Sequence, residues 1–150
     1  MVKRAIDIIF ALLCIIILIP FFIFCFFAIW INDFNNPFYF AERSGKNGKI
    51  FCMIKFRTMN VGADKSGVAS TAIDDPRITR IGHILRKYKI DELPNLFNII
   101  MGQMSFVGPR PNVKWETDLY TIEEKLLLSI RPGLTDFSSI VFADESDILK

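Results

Sequence analysis

The sequence predicts a mixed α/β fold in which helices dominate, with an apolar N-terminal segment leading into one small polar domain. Three observations carry this. Residues 8–31 hold no charged side chain; residues 38–57 are rich in β-branched and aromatic residues about a glycine-bearing turn; and apolar residues recur at helical spacing near 78–85 and 96–101. The chain has 150 residues, 51% of them apolar. Such apolar content excludes disorder, and the length suits a single domain once residues 1–31 are set apart from 32–150.

The apolar run of 24 residues contains six Phe and exceeds the about 20 residues that suffice for a bilayer crossing. It is longer than the roughly 7 to 15 residues of a cleavable signal core, so it stays attached. Two topologies are open. Length favours a single crossing. Against it, Lys3 and Arg4 precede the run while Arg43, Lys46, Lys49, Lys55 and Arg57 follow it, and basic flanks pull both ends toward the cytoplasm. Pro20 removes the donor to the carbonyl of Ile16 and kinks or breaks the helix there, although ordinary crossings tolerate prolines too. Cys14, Cys25 and Cys52 show neither disulfide nor zinc spacing and fit a reducing compartment. The lone His83 suits a base or ligand in kind, but a surface or locally hydrogen-bonded role is the commoner one, and no chemistry is assigned to it.

After a polar turn at residues 32–37, Phe38–Phe40 reads as a short strand, residues 43–48 as a glycine turn and Lys49–Arg57 as a second strand, together a β-hairpin. Residues 61–75, rich in Gly, Ser, Ala and Asp, read as a surface loop. Ile78, Ile81, Ile84 and Leu85, interleaved with Arg77, Arg80, Arg86 and Lys87, make an amphipathic helix with a basic face suited to a membrane surface. Pro94 opens a second helix through Leu96–Met101, which Gly102 ends. Then come Gly108-Pro-Arg-Pro111, an acidic helix over Thr117–Ser129, Arg131-Pro-Gly133 and an apolar segment over residues 137–142.

Charge is unevenly placed. Residues 43–110 carry 12 basic and 5 acidic groups, net +7, whereas residues 111–150 carry 4 and 8, net −4. A basic middle suits phosphates, nucleic acid or acidic lipid. Within it, Asp91 and Glu92 stand just before the helix at Pro94, flanked by Arg86, Lys87 and Lys89. Adjacent acids are commonly a solvated surface. Here, however, they adjoin free backbone donors and a positive dipole end, which favour anions. A carboxylate so placed can attack phosphorus to give an acyl phosphate, or hold a divalent ion bridging phosphate oxygens. Without a His or Cys cluster, Mg2+ is the fitting ion. Arg110 between prolines and Arg131 before Pro132 leave restricted backbones, which suits phosphate recognition or a purely structural turn. Lys55 and Arg57 alternate along their strand and share a face, either for phosphate or for solvent.

Four motifs, Lys55-Phe-Arg-Thr-Met59, Ile90-Asp-Glu-Leu-Pro-Asn-Leu-Phe-Asn98, Gly102-Gln-Met-Ser-Phe-Val-Gly-Pro-Arg-Pro111 and Arg131-Pro-Gly-Leu-Thr135, stand in an order that resembles bacterial sugar transferases of the monotopic phosphoglycosyl transferase family. The resemblance covers most of residues 3–135. It implies transfer of a sugar 1-phosphate from a UDP-sugar to polyprenyl phosphate at the cytoplasmic face of the bacterial inner membrane. The products would be a polyprenyl-diphosphate sugar and UMP, in the first membrane step of glycan assembly. It also implies Asp91 as nucleophile, Glu92 as acid/base or electrostatic partner, and Mg2+ near Asp91. Lys55, Arg57, Arg86, Arg110 and Arg131 would surround the phosphates or the nucleotide. Residues 1–31 would be a re-entrant helix-break-helix broken at Pro20, and residues 32–150 a cytosolic domain with interfacial helices. The implied partners are UDP-sugar, polyprenyl phosphate and membrane lipid, with a homodimer as an option and no nucleic acid.

Two departures stand out. Ile19 replaces the serine that commonly precedes the family's proline, and residues 138–150 differ from the usual continuation, as in a C-terminally shortened chain. The competing readings are a membrane-anchored binding module for anionic lipid or nucleic acid, and a metal-dependent phosphatase. Nucleic acid would call for exposed stacking aromatics among the cations, whereas Phe51, Phe56 and Phe97 read as core.

Overall fold

The computed structural model describes residues 2–63 and 75–136. Residues 64–74 of the expected loop and the segment 137–142 lie outside them.

Helix α1 spans Val2–Asp33, 32 residues, with Pro20 inside it. The helix-break-helix expected for residues 1–31 is thus one helical element that runs past Pro20 and two residues beyond Ile31. Side-chain caps then turn the chain: Asn35 N donates to Asp33 Oδ1 at 3.1 Å and Phe38 N to Asn36 Oδ1 at 2.9 Å, the local bonding that makes Asn and Asp turn formers.

The hairpin is present. Strands β1, Phe38–Ser44, and β2, Ile50–Phe56, pair antiparallel with Phe38 opposite Phe56 and Ser44 opposite Ile50. β1 runs four residues past the expected Phe40, because Ala41 and Ser44 point inward and are buried. Asn47 and Gly48, at φ 57° and 71°, supply the left-handed turn.

Helix α2, Arg80–Lys87, starts where Thr79 Oγ1 accepts from Gly82 N at 3.0 Å. Helix α3, Asn95–Ile100, follows Pro94 as expected. The acidic helix expected over residues 117–129 is instead two pieces, α4 at Lys114–Asp118 and a 3-10 turn at Glu124–Ser129. Thr121 and Glu124 divide them: each backbone N–H bonds the other's side chain, at 2.8 and 3.2 Å, a capping box that restarts the helix.

Two three-residue strands complete the fold. β3, Ser105–Val107, and β4, Gly133–Thr135, pair in parallel and tie together the two Pro-containing motifs. Their approach demands glycine. A Cβ on Gly108 would lie 2.4 Å from Arg131 O, and one on Gly133 would lie 2.2 Å from Gly108 N.

The core has two parts, and α1 enters both. Ala11 packs with Ala41, Phe51, Met53, Leu96, Ile99 and Met104, and further along Cys25 and Ile29 pack with Phe56 and Leu85. Both ends of α1 are also bonded to the same domain: Arg4 Nη2 donates to Ile100 O at 3.0 Å, and Asp33 receives both terminal nitrogens of Arg57 at 2.5 and 2.6 Å. The remaining face carries exposed Ile9, Leu13, Ile16, Ile17, Phe24 and Phe27. Only 11% of its most apolar window is buried, so α1 is no interior helix of a soluble core.

Candidate active site

The site is built where β2, α2 and the turn into α3 converge. Lys89 takes a left-handed conformation, φ 56°, and reverses the chain out of α2. A single 3-10 turn over Ile90–Glu92 follows, and Pro94 starts α3. Tight curvature on both sides leaves the two carboxylates facing inward. Asp91 is buried, with 8% exposure.

Three segments aim cations at this turn. Lys55 on β2 donates to Glu92 Oε1 at 2.6 Å, and Arg110, beyond β3, stands 3.5 Å from the same oxygen. Arg86 on α2 donates from Nε to Thr58 Oγ1 at 2.8 Å, and its charge acts on Asp91. That placement depends on Gly82, since a Cβ there would sit 2.0 Å from Thr58 O. With Lys89, four cations influence two carboxylates, which leaves the site electropositive toward a polyanion.

The two acids differ. Burial raises the Asp91 pKa, with the Glu92 charge adding to it and Lys55 and Arg86 offsetting only part. Burial also acts to raise Glu92, but Lys55, by charge and hydrogen bond, and then Arg110 and Lys89 bring it below the ordinary glutamate value. Glu92 therefore holds a fixed negative charge, while Asp91 is the more basic carboxylate. Asp91 Oδ1 is buried without a hydrogen-bond partner among the described residues. An orphaned buried oxygen is costly unless something else meets it.

Mg2+ fits that oxygen in kind: it is hard, anionic and unshared. Among the described residues no group of three His, Cys, Asp or Glu side chains could cage a metal. Such an ion would draw its other ligands from phosphates and water, the usual habit of Mg2+.

Sequence reasoning placed two arginines differently from the structure. Arg57 lies just past β2 and is taken up by Asp33 at the end of α1, so it does not share a face with Lys55. Arg131 donates from Nε to Gly102 O at 2.8 Å and lines a separate cavity with Lys3 and Arg4. Asp91, Glu92, Lys55, Arg86 and Arg110 are brought together.

One supporting residue went unnoticed. Asn98 is fully buried on α3 and anchors β2. Its Oδ1 accepts from Ile54 N at 3.0 Å, while Nδ2 donates to Cys52 O at 2.7 Å and Gln103 Oε1 at 2.6 Å. This fixes the strand bearing Lys55 against the helix that follows Glu92. The available signal was an Asn inside the apolar run Leu96–Met101, since a buried amide must find partners.

A family model described as bacterial sugar transferase matches residues 1–149. The chain belongs to that family. Among its relatives, the exopolysaccharide production protein ExoY of Sinorhizobium fredii is 41% identical over 148 residues, covering 89% of this chain and 66% of its own. A putative undecaprenyl-phosphate N-acetylgalactosaminyl 1-phosphate transferase of Bacillus subtilis is 44% identical over 110 residues, 73% of this chain and 62% of that one. The undecaprenyl-phosphate galactose phosphotransferase of Salmonella typhimurium is 35% identical over 148 residues, 89% of this chain and 31% of the relative. The chain thus spans about two thirds of some relatives and a third of others. The matched part includes the whole Asp91–Glu92 cluster, because the family match runs through it.

Proposed function

We propose that this chain transfers a sugar 1-phosphate from a UDP-sugar to polyprenyl phosphate by way of an aspartyl intermediate. The observation that carries the reading is the contrast inside the dyad: an Asp91 oxygen buried without a partner among the described residues, beside a Glu92 held by Lys55 and Arg110. The names of the Bacillus and Salmonella relatives support the acceptor class.

In the first step the Asp91 carboxylate attacks the sugar-bearing phosphorus. An Asp91 oxygen–phosphorus bond forms, the bridging oxygen–phosphorus bond of the diphosphate breaks, and UMP leaves with that electron pair. In the second, a phosphate oxygen of the polyprenyl phosphate attacks the same phosphorus and releases Asp91 as carboxylate. The raised basicity of Asp91 strengthens it as nucleophile. Glu92 orients Lys55 and Arg110 and keeps their charge at the reacting phosphates rather than in solvent. Mg2+, when bound, neutralises charge on phosphate oxygens.

The same reading places the protein on the cytoplasmic face of the bacterial inner membrane, with α1 entering and leaving that face. Bonding of both ends of α1 to one domain supports this, because a straight crossing separates its ends by the bilayer. Cysteines placed at residues 3 and 46 are expected to be labelled from the same side, and labelling from opposite sides would refute the re-entrant reading.

Transfer is tested by UMP release from a panel of UDP-sugars, with and without polyprenyl phosphate and Mg2+. Lipid-dependent UMP with a polyprenyl-diphosphate sugar supports transfer. Free sugar phosphate would mean hydrolysis, and no turnover in a chain that still binds acidic lipid would mean a binding module.

A further inference from the structure

A second cluster of cations lies apart from the dyad, at the start of α1. Lys3, Arg4, Lys46 and Arg131 line a cavity of about 300 Å3, in which Asp7 is the only acid among the lining residues. Asp7 is already spent: its Oδ2 receives Ser105 Oγ at 2.8 Å and Lys3 at 3.3 Å, and Lys3 also bonds Ser105. Arg4 and Arg131 are held by backbone carbonyls, those of Ile100 and Gly102, which orient a guanidinium without neutralising it. Arg4 Nη1 is buried with no partner among the described residues.

The surplus is unusual in its setting. Lys3 and Arg4 occupy the first turn of a helix that has no acidic residue there, so both oppose the helix dipole. Cations gathered in a cavity against that field lower their energy by taking up an anion. The surroundings say which kind. Val107 and Ile130 line the same cavity, and exposed Ile6 and Ile9 follow one and two turns along α1. The cavity thus combines cationic and apolar lining residues, at the point where the exposed apolar surface of α1 begins.

We propose that this cavity is a binding site for the phosphate headgroup of an anionic membrane lipid, separate from the Asp91–Glu92 cluster. Arg131 and Arg4 present fixed guanidinium groups to the phosphate, Lys3 and Lys46 add charge, and the acyl chains leave along α1. Bonding to the headgroup fixes the depth of the domain against the membrane.

The test uses the purified full chain in neutral detergent micelles, titrated with phosphatidylglycerol labelled in its acyl chain and read by fluorescence anisotropy. Phosphatidylcholine, whose phosphate is masked by choline, is the comparison lipid, and inorganic phosphate is the competitor. Phosphatidylglycerol is expected to bind at least about tenfold more tightly than phosphatidylcholine, the scale of one or two charge-assisted contacts. The double variant Lys46→Gln with Arg131→Gln is expected to lose that preference. Lys46→Gln alone, in the exposed hairpin turn, is expected to weaken it in part with thermal unfolding unchanged. Asp91→Asn binds phosphatidylglycerol like the wild type, which separates this site from the dyad. Equal binding of the two lipids, or undiminished preference in the double variant, would overturn the proposal. Displacement of the lipid by inorganic phosphate at concentrations equal to the lipid's own would assign the site to free phosphate and overturn it as well.

Discussion

Two acid–base pairings stand at the end of β2, one from Lys55 within the strand and one from Arg57 just past it, and they are built differently. Asp33 and Arg57 form a closed fork in which both carboxylate oxygens meet both terminal nitrogens. At the other site Lys55 and Arg110 converge on a single oxygen of Glu92, while the neighbouring Asp91 keeps one oxygen unpartnered among the described residues. Saturation marks the first as a fastener between α1 and the sheet. Incompleteness distinguishes the second, and it is there that the proposed reaction seats its substrate. The kinds of side chain are alike; what separates the two is whether the bonding is complete.

The widest separation between the two is expected from Asp91→Asn. It leaves volume and fold unchanged yet lowers UMP release by at least about a thousandfold, as removal of a nucleophile does. Intact-protein mass spectrometry should then lose any phosphosugar adduct seen with the wild type. Lys55→Met comes next. It leaves Glu92 with Arg110 at 3.5 Å and the charge of Lys89, costs about 1–3 kcal/mol of stability, and lowers turnover by about a hundredfold through lost electrostatic positioning. Arg57→Met is the matched control. Chemical denaturation is expected to show a loss of about 1–2 kcal/mol, while activity per folded molecule stays within a few-fold. A large loss of turnover from Arg57→Met with stability intact would break the comparison.

The pH dependence sharpens it further. Asp91 titrates above the usual aspartate value because it is buried next to Glu92, so turnover falls on acidification at a higher pH than an ordinary aspartate would give. Stability follows the opposite sign for the two acids. The raised Asp91 makes ionisation cost stability as pH rises through its folded value. The lowered Glu92 contributes stability above its unfolded value that is lost as pH falls through the folded one. Glu92→Gln removes the like charge and frees Lys55 toward Asp91, so the acidic limb of the rate profile moves to lower pH; a limb that stays in place would exclude coupling within the dyad. The smallest effect is expected from Lys114→Ala. Lys114 and Asp118 pair at 2.7 Å, but their side chains are 65% and 59% exposed, so thermal unfolding should register less than about 0.5 kcal/mol.

What could be read in advance was local. The apolar run, the hairpin, and the helices after Thr79 and Pro94 follow from periodicity and caps, and the dyad was visible as carboxylates in a basic stretch before a helix start. Long-range contacts were not visible. Nothing local to Arg57 indicates that Asp33, 24 residues earlier, completes its fork. Ser105 and Gly133 are paired strands only because a parallel bridge joins segments that are far apart in the chain. Thr121 was readable, since its reciprocal bond with Glu124 is a pattern of residues three apart, but the acidic stretch reads as one longer helix. Asn98 could be noticed as out of place, though not traced to β2.

The crossing of Gly108 and Gly133 sets a mechanical tolerance. Arg110 leaves the chain two residues after Gly108, and that glycine is wedged against the backbone of Arg131 with no room for even a methyl group. An alanine at 108 touches neither carboxylate and removes no charge, yet it acts as a shim that levers the Pro109–Arg110 segment off its seat. The 3.5 Å reach of Arg110 to Glu92 is thereby calibrated by a hydrogen atom at the close approach of two backbones, so a lesion there would look catalytic in an assay and structural on inspection.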